Sequence, residues 1–259
     1  MGTARRLLIT CDDLGYHPAF NQAIVDILRD GIIRATSLMS VGPHVDDALR
    51  RLAAAGIDAV GVHLTLGSEY APLPVRPLSP PHLVPSLVRE DGRFLRDISR
   101  TRERIVVEEV AREFRAQIES VRATGLRLTH VDGHMFCYES ELGGAAILAV
   151  ARHLACEYGL PLRVRGATRN SPTIAEPPVY MRWHHETAAA RHAFYSAFLA
   201  AYDDPLAELI IHPGVDAAAM QTFCRTGERR IVDYTFFRSD EFRAAIFQRG
   251  IEIVGRDDL

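Results

Sequence analysis

Two adjacent carboxylates and one histidine stand out because each lies in or directly after a short apolar run. Asp12 and Asp13 end the run that begins at Leu7, and His63 lies within Ala59–Leu66. Neighbouring carboxylates repel each other, and a bound divalent cation is one way to compensate that repulsion. The alternatives are that one aspartate caps the following helix and that His63 is an ordinary core residue.

Two later motifs also carry histidines where apolar runs end. In His130-x-Asp132-x-His134, alternate side chains of an extended segment lie on one face, so the three side chains could converge. His212 precedes a Pro-Gly turn that would keep its imidazole at the end of a strand. Imidazole nitrogens and carboxylate oxygens are typical zinc ligands. Although each motif alone fits ordinary strand-end hydrogen bonding, four of them at four strand ends predict a metal hydrolase site.

The elements that must position these residues alternate along the chain. Short β-branched or aliphatic runs predict seven strands, and amphipathic segments predict helices between them. This alternation implies parallel strands and an α/β architecture, in which ligands bind at the carboxyl ends of the strands. The predicted strands are Leu7–Cys11, Ile33–Ser40, Ala59–Leu66, Leu126–Val131, Leu162–Val164, Leu206–Ile211 and Ile251–Val254, and the predicted helices are about Ala19–Asp30, Val45–Ala55, Arg104–Thr124, Ser140–Tyr158, Glu186–Tyr202 and Ser239–Gln248.

Two proline-containing stretches, residues 67–100 and 166–184, interrupt the alternation. Long loops inside a compact domain are more often lids or binding loops than linkers. No internal repeat or low-complexity tract is visible, so the sequence predicts a single catalytic domain over residues 1–259 with two long loop excursions.

Composition excludes several classes of function. The net charge is −3, from 30 Lys and Arg against 33 Asp and Glu, and no basic run favours nucleic acid or an anionic membrane. The apolar runs are too short for a membrane span, and no signal peptide is recognisable, so we expect a cytoplasmic protein. Four scattered cysteines without a C-x-x-C pair predict free thiols. The first strand is followed by no glycine-rich nucleotide-binding loop.

Taken together, the motifs resemble those of the YdjC-like carbohydrate deacetylases, and the resemblance covers nearly the whole chain. Residues 8–15 are similar to the family's opening strand and Asp-Asp-Phe-Gly turn, and residues 61–66 to its Gly-x-His-Leu motif. Its best-known members act on N-acetylated chito-oligosaccharides, and some relatives are linked to hopanoid side-chain processing. Further matching positions are Asn21, Gly31-Ile32, Thr36–Met39, Glu113, Gln117, Thr129–His134, Glu208 and His212–Gly214, whereas Met135–Tyr138 replace the further histidines common in the family.

The resemblance implies a fold, a reaction and a set of roles. The fold would be an irregular (β/α) barrel of about seven parallel strands, similar to a TIM barrel. The reaction would remove an N-acetyl group from a carbohydrate or sugar-like substrate. Asp13, His63 and His134 would hold one divalent metal ion, magnesium or zinc, with manganese or cobalt as further candidates. Asp12 would be the general base and His212 the general acid.

Other residues are candidates for binding substrate or orienting the ligands. His130 and Asp132 could orient the metal ligands from their strand. Arg163 and Arg165 lie at the end of the fifth predicted strand, where one of them could bind substrate or pair with Asp12. Strand-end hydrogen bonding and ordinary surface charge are the alternatives. Three aromatic residues in the irregular loops could stack on a sugar ring, although packing explains each more simply: Tyr70, Tyr180 and Trp183.

Two other functions fit the same residues. Another metal hydrolase, such as a phosphoesterase or amidohydrolase, would be expected to show more ligands or a lysine at a strand end. A non-catalytic sugar-binding protein would be expected to have lost part of the set. The expected partner is a small acetylated sugar or sugar-lipid, with neither nucleic acid nor a membrane span. Only the general prevalence of symmetric dimers suggests a homodimer.

Overall fold

Parallel strands alternate with helices along the computed structural model, which describes residues 5–96, 102–139, 143–164, 179–180, 187–225 and 227–259. In this part of the chain the strands are β1 (Arg5–Leu14), β2 (Ala35–Leu38), β3 (Ala59–Leu64), β4 (Arg127–Gly133), β5 (Val179–Tyr180), β6 (Leu206–Ile211) and β7 (Ile251–Val254). The α-helices are α1 (Pro18–Arg29), α2 (Val45–Ala55), α3 (Val107–Ala123), α4 (Ala145–Glu157), α5 (Ala188–Ala201), α6 (Ala217–Gln221), α7 (Gly227–Phe236) and α8 (Asp240–Arg249).

The chain divides into two units, each with its own parallel strand pairs. The first unit lies within residues 1–12, 18–36 and 166–259, where β1 pairs with β6 and β7, and β6 pairs with β5. The second lies within residues 13–17 and 37–165, where β3 pairs with both β2 and β4. The predicted α/β class with parallel strands is confirmed. That residues 1–259 act as one catalytic domain stays a prediction.

The predicted barrel of about seven strands is confirmed only in part, because the parallel strands that the structure describes do not form a full seven-strand barrel. Among the described residues β5 has only two residues and a ladder to β6, and β4 has a ladder to β3 alone. The predicted strand Leu162–Val164 is wrong, because it makes a single bridge from Leu162 to Val131.

Some helices escaped the sequence prediction. Val45–Ala55, Leu206–Ile211 and Ile251–Val254 were predicted with their observed bounds, and the other main elements within a few residues. Helices α6 and α7 were missed, although Asp216 before α6 caps it by accepting a hydrogen bond from the backbone of Ala219. None of the helices that the structure describes is long and apolar enough to cross a bilayer.

Helix α3 carries a polar pair on its buried face. The Glu113 carboxylate accepts hydrogen bonds from the backbone N–H groups of Leu78 at 3.0 Å and Ser79 at 2.9 Å. The side-chain amide of Gln117 bonds both the N–H and the carbonyl of Thr65, each at 2.8 Å. Because buried polar groups need such partners, this pair fixes the backbone after β3 and the loop that follows it.

Gly61 on β3 leaves space for the imidazole of His130 on β4. A Cβ at position 61 would lie 2.2 Å from His130 Cε1, so the buried ring would have to move. We expect Gly61→Ala to lower the free energy of unfolding by about 1–3 kcal/mol, as overpacking does in other cores. Urea unfolding followed by circular dichroism measures this.

Gly67→Ala is the matched control, because a Cβ there would approach no nearer than 4.0 Å to the carbonyl oxygen of Arg96. An equal loss of stability in the two variants would contradict the explanation by steric clash.

Candidate metal centre

Asp13, His63 and His134 come together in the second unit. Each offers one ligand atom, and these atoms lie within 4.8 Å of one another. Asp13 Oδ1 lies 3.0 Å from His134 Nδ1 and 3.5 Å from His63 Nε2. The relative exposures are only 1%, 1% and 6%, in that order. One carboxylate oxygen and two imidazole nitrogens form a donor set typical of a zinc-like site with open positions.

The backbone beside two of these residues is strained. Asp13 has a φ of 74°, which is unusual for a residue other than glycine, and Gly15 follows with a φ of 98°. Immediately after His134, Met135 and Phe136 have φ values of 49° and 54°. Strain of this kind concentrates at functional sites and persists only where the surrounding structure imposes it. The surrounding structure therefore holds the backbone at Asp13 and just after His134 in conformations that are unfavourable for residues other than glycine.

A β-bulge between β3 and β4 sets the register behind His63. Val60 pairs with Leu128 but Val62 pairs with Val131, so two steps along β3 correspond to three along β4. After this irregularity His63 pairs directly with Asp132. Since a shift by one residue sends side chains to the opposite face, the bulge decides which residue of β4 meets His63.

Each of the two histidines also contacts a second carboxylate. His63 Nδ1 lies 2.8 Å from Asp132 Oδ1, and His134 Nε2 lies 3.0 Å from Glu69 Oε1. In metal sites the nitrogen that does not bind the ion usually donates to a carboxylate, which fixes the tautomer and the ring orientation. The nitrogens that face Asp13 are therefore the candidate ligand atoms.

Asp132 is a fully buried centre of several polar contacts. Its Oδ2 lies 3.0 Å from Arg163 Nη1 and 3.2 Å from His130 Nε2. Burial alone would raise the pKa of Asp132, but the charge of Arg163 and the contacts from His63 and His130 hold it well below its usual value. The carboxylate is therefore ionised, as an acceptor for the His63 N–H must be.

The imidazole of His134 holds a proton when no cation is bound. Burial lowers its pKa, but the charge of Glu69 and the hydrogen bonds to Asp13 and Glu69 outweigh burial and raise the pKa to about 10. That proton balances part of the negative charge of the two carboxylates. A divalent cation would take over the same role, so the charge of the site fits a metal ion.

Six of the predicted residues are connected by the contacts described above. Asp13, His63, His130, Asp132, His134 and Arg163 share the contacts above. Asp12, at the end of β1, and His212, directly after β6, are buried and belong to the first unit. Arg165, Trp183 and the side chain of Tyr180 lie outside the described residues, and Tyr70 packs against Tyr16 with ring centroids 5.4 Å apart.

Sequence reasoning missed the group that supports His212. The backbone N–H of His212 donates to Asp233 Oδ2 at 2.8 Å, and the same buried carboxylate accepts hydrogen bonds from Tyr195 at 2.7 Å and from the Arg191 guanidinium. Burial lowers the pKa of Arg191, but the charge of Asp233 and its hydrogen bonds outweigh burial, so the pKa lies above its usual value. These residues lie on α5 and α7, far apart in sequence, and form no motif that could have revealed them.

Glu69 was also missed. The only available signal was an acidic residue shortly after the strand that carries His63, within a stretch predicted to be irregular.

Comparison with known proteins decides the family. The model of a family described as "YdjC-like protein" matches residues 6–248. This chain belongs to the YdjC-like family. The resemblance predicted from the motifs is therefore confirmed.

Individual relatives of this YdjC-like protein match over its whole length. A carbohydrate deacetylase of Enterococcus faecalis (strain V583) is 28% identical over 272 residues, which cover 98% of each chain. A carbohydrate deacetylase of Brevibacillus brevis is 27% identical over 261 residues, covering 98% of this chain and 99% of the relative. A crystal structure described as a putative cellobiose-phosphate cleavage protein from E. faecalis V583 has a TM-score of 0.79 at 26% identity and covers 98% of both chains.

Proton release should accompany cation binding in this YdjC-like protein. Because His134 is protonated below a pH of about 10, a cation that binds its nitrogen must displace that proton. We expect Zn²⁺ affinity to fall about tenfold for each unit by which the pH is lowered between 8 and 6. Isothermal titration calorimetry in buffers of different ionisation enthalpy measures both the affinity and the released proton.

His153→Ala, which changes an exposed histidine of α4, should leave the release unchanged, whereas His134→Ala should remove it. A Zn²⁺ affinity that does not vary over this pH range would contradict the expectation.

Proposed function

We propose that this YdjC-like protein is a metal-dependent deacetylase that hydrolyses the N-acetyl amide of a carbohydrate or sugar-like substrate. The observation that carries the proposal is the buried convergence of Asp13, His63 and His134. Family membership and the curated relatives named carbohydrate deacetylase support hydrolysis of an acetyl amide rather than of another bond.

The three residues would hold one divalent ion. Such an ion, when bound, polarises the acetyl carbonyl and makes water more acidic, which an amide requires because it is a poor electrophile. Two of the three donors are imidazole nitrogens, and these suit zinc or cobalt better than magnesium, which prefers oxygen ligands. Zinc is therefore our first candidate among the predicted ions.

Asp12 would act as the general base. It directly precedes Asp13 near the end of β1, it is buried, and it matches the first carboxylate of the family's Asp-Asp turn. In this role it accepts a proton from water as the water oxygen forms a bond to the acetyl carbon. In this proposal Asp13, rather than Asp12, holds the ion, and the Asp12 carboxylate takes the proton.

His212 would act as the general acid. It donates a proton to the amine nitrogen as the carbon–nitrogen bond breaks, so that acetate and a free amine leave. The hydrogen bond from its backbone N–H to Asp233 fixes the turn that carries the imidazole. The imidazole must be protonated in the reactive state, and the amine product takes up that proton.

Asp132 would orient His63. It accepts the hydrogen bond from His63 Nδ1, while Arg163 and His130 hold the carboxylate from its other oxygen. This arrangement supports an orienting role for His130, Asp132 and Arg163. Arg165 remains a proposed substrate-binding residue.

Acetate release from a panel of N-acetylated sugars tests the proposal. We expect release from at least one sugar, and we expect both a chelator and His134→Ala to reduce it to background because each removes the ion. The matched control is His153→Ala, which changes a histidine exposed on α4 and should keep full activity.

The outcomes separate the competing functions. Activity that survives the chelator would refute metal dependence. Bound cation without acetate from any sugar would refute the acetyl-sugar substrate and favour another metal hydrolase.

The base is tested by Asp12→Asn. This variant keeps all three ligands but loses the proton acceptor, so kcat should fall roughly 100-fold to 10,000-fold while Zn²⁺ affinity stays unchanged. Steady-state kinetics and calorimetry measure the two quantities. Asp46→Asn, at an exposed position on α2, is the control. Full activity of Asp12→Asn, or loss of the cation, would show that Asp12 has another role.

A further inference from the structure

The carboxylate of Glu69 lies within hydrogen-bond distance of the second ring nitrogen of His134. His134 Nδ1 lies 3.0 Å from Asp13 Oδ1, and His134 Nε2 lies 3.0 Å from Glu69 Oε1. Both nitrogens of the imidazole therefore meet carboxylates, one of which is a proposed ligand of the ion. The sequence motifs and the family resemblance assign no role to Glu69.

The other histidine shows the same arrangement. His63 Nε2 lies 3.5 Å from Asp13, and His63 Nδ1 lies 2.8 Å from Asp132. On the basis of the metal site in the proposed function, we propose that Glu69 is a positioning residue that orients His134 for cation binding, as Asp132 orients His63. The N–H of Nε2 donates to Glu69 and leaves Nδ1 to bind the ion.

The two carboxylates are positioned by different means. Asp132 is set by the pairing of β3 with β4, whereas Glu69 lies in the loop after β3. Its neighbour Ser68 is fixed at two points, because its N–H donates to the Leu95 carbonyl at 3.0 Å and its hydroxyl accepts from the N–H of Val75 at 3.2 Å. The loop thus presents Glu69 from an anchored backbone.

Glu69 meets two polar groups, the His134 imidazole at 3.0 Å and the buried hydroxyl of Tyr16, whose pKa is raised by burial and by the charge of Glu69. The Glu69 side chain is 18% exposed, and its Oε2 has no hydrogen-bond partner among the described residues. The His134 ring also packs edge-on against Tyr16, with centroids 5.6 Å apart. Packing restricts the plane of the imidazole, but only a hydrogen-bond acceptor at Nε2 selects its tautomer. Removing the acceptor should therefore weaken cation binding without abolishing it.

Cation binding by the full-length protein tests this role. We expect Glu69→Ala to bind Zn²⁺ roughly 10- to 100-fold more weakly than wild type, the usual cost of losing such a partner. Glu69→Gln keeps an acceptor oxygen and should recover most of the affinity. The visible absorption spectrum of bound Co²⁺ should change in Glu69→Ala, because it reports the ligand geometry directly. Calorimetry and absorption titration supply the measurements.

Glu90→Ala is the matched control, because Glu90 is an exposed glutamate of the same loop and should bind as wild type does. Urea unfolding of each metal-free variant separates a local effect from loss of the fold. Wild-type affinity and an unchanged Co²⁺ spectrum in Glu69→Ala would overturn the proposal.

Two other results would also overturn it. A loss in Glu69→Gln as large as that in His134→Ala would make Glu69 a direct ligand, and a wild-type protein that binds no cation would leave nothing to position. Because the readout is binding, a protein that binds the cation but releases no acetate would refute the deacetylase proposal and leave the role of Glu69 standing.

Discussion

The buried negative charge of Asp13 is the constraint on which the candidate site depends. A carboxylate that is only 1% exposed needs a compensating positive charge nearby. In the structure the compensation comes from the raised pKa of His134, while Asp132 is balanced separately by Arg163. The single positive charge of protonated His134 balances Asp13 only in part, because the same imidazole also pairs with the carboxylate of Glu69. A divalent ion at the same place would balance more of the negative charge, which supports the proposed cation site.

The fold meets this constraint through local irregularities rather than through regular strands. Without the bulge opposite Gly61, β4 would offer a different residue to His63, and Asp132 would turn to the other face. Gly61 has no Cβ, which leaves the space that the His130 ring occupies. The positive φ of Asp13 likewise departs from the strand geometry that would otherwise continue from β1. The site therefore occurs where three regular patterns are interrupted.

The sequence predicted the ligands better than it predicted their support. Asp13, His63 and His134 follow or occupy recognisable apolar runs, so strand-end reasoning included them among the candidates, and the family resemblance selected them as proposed ligands. Glu69 and Asp233 could not be found in this way, since their partners are 65 and 21 residues distant along the chain and belong to no shared pattern. Closure of the sheet could not be predicted for a related reason, because strand periodicity indicates which segments are extended but not whether the sheet closes. Only pairing over long separations decides that.

The segment Leu162–Val164, which was predicted to be a strand, shows that a candidate site residue can be positioned with little regular structure. Two backbone hydrogen bonds join the segment of Arg163 to Val131. The Arg163 N–H donates to the Val131 carbonyl at 2.9 Å, and the Val131 N–H donates to the Pro161 carbonyl at 2.8 Å. The Tyr138 hydroxyl donates a third hydrogen bond, to the Arg163 carbonyl. These few contacts suffice to bring the guanidinium to Asp132, since the charge pair itself stabilises the final position. Tyr138 lies in the chain just after the strained turn of His134, so the same short segment that aims the ligand also holds the arginine behind His63. The two histidines are thus supported by one connected set of contacts, which explains why strain at Met135 and Phe136 is retained next to the site.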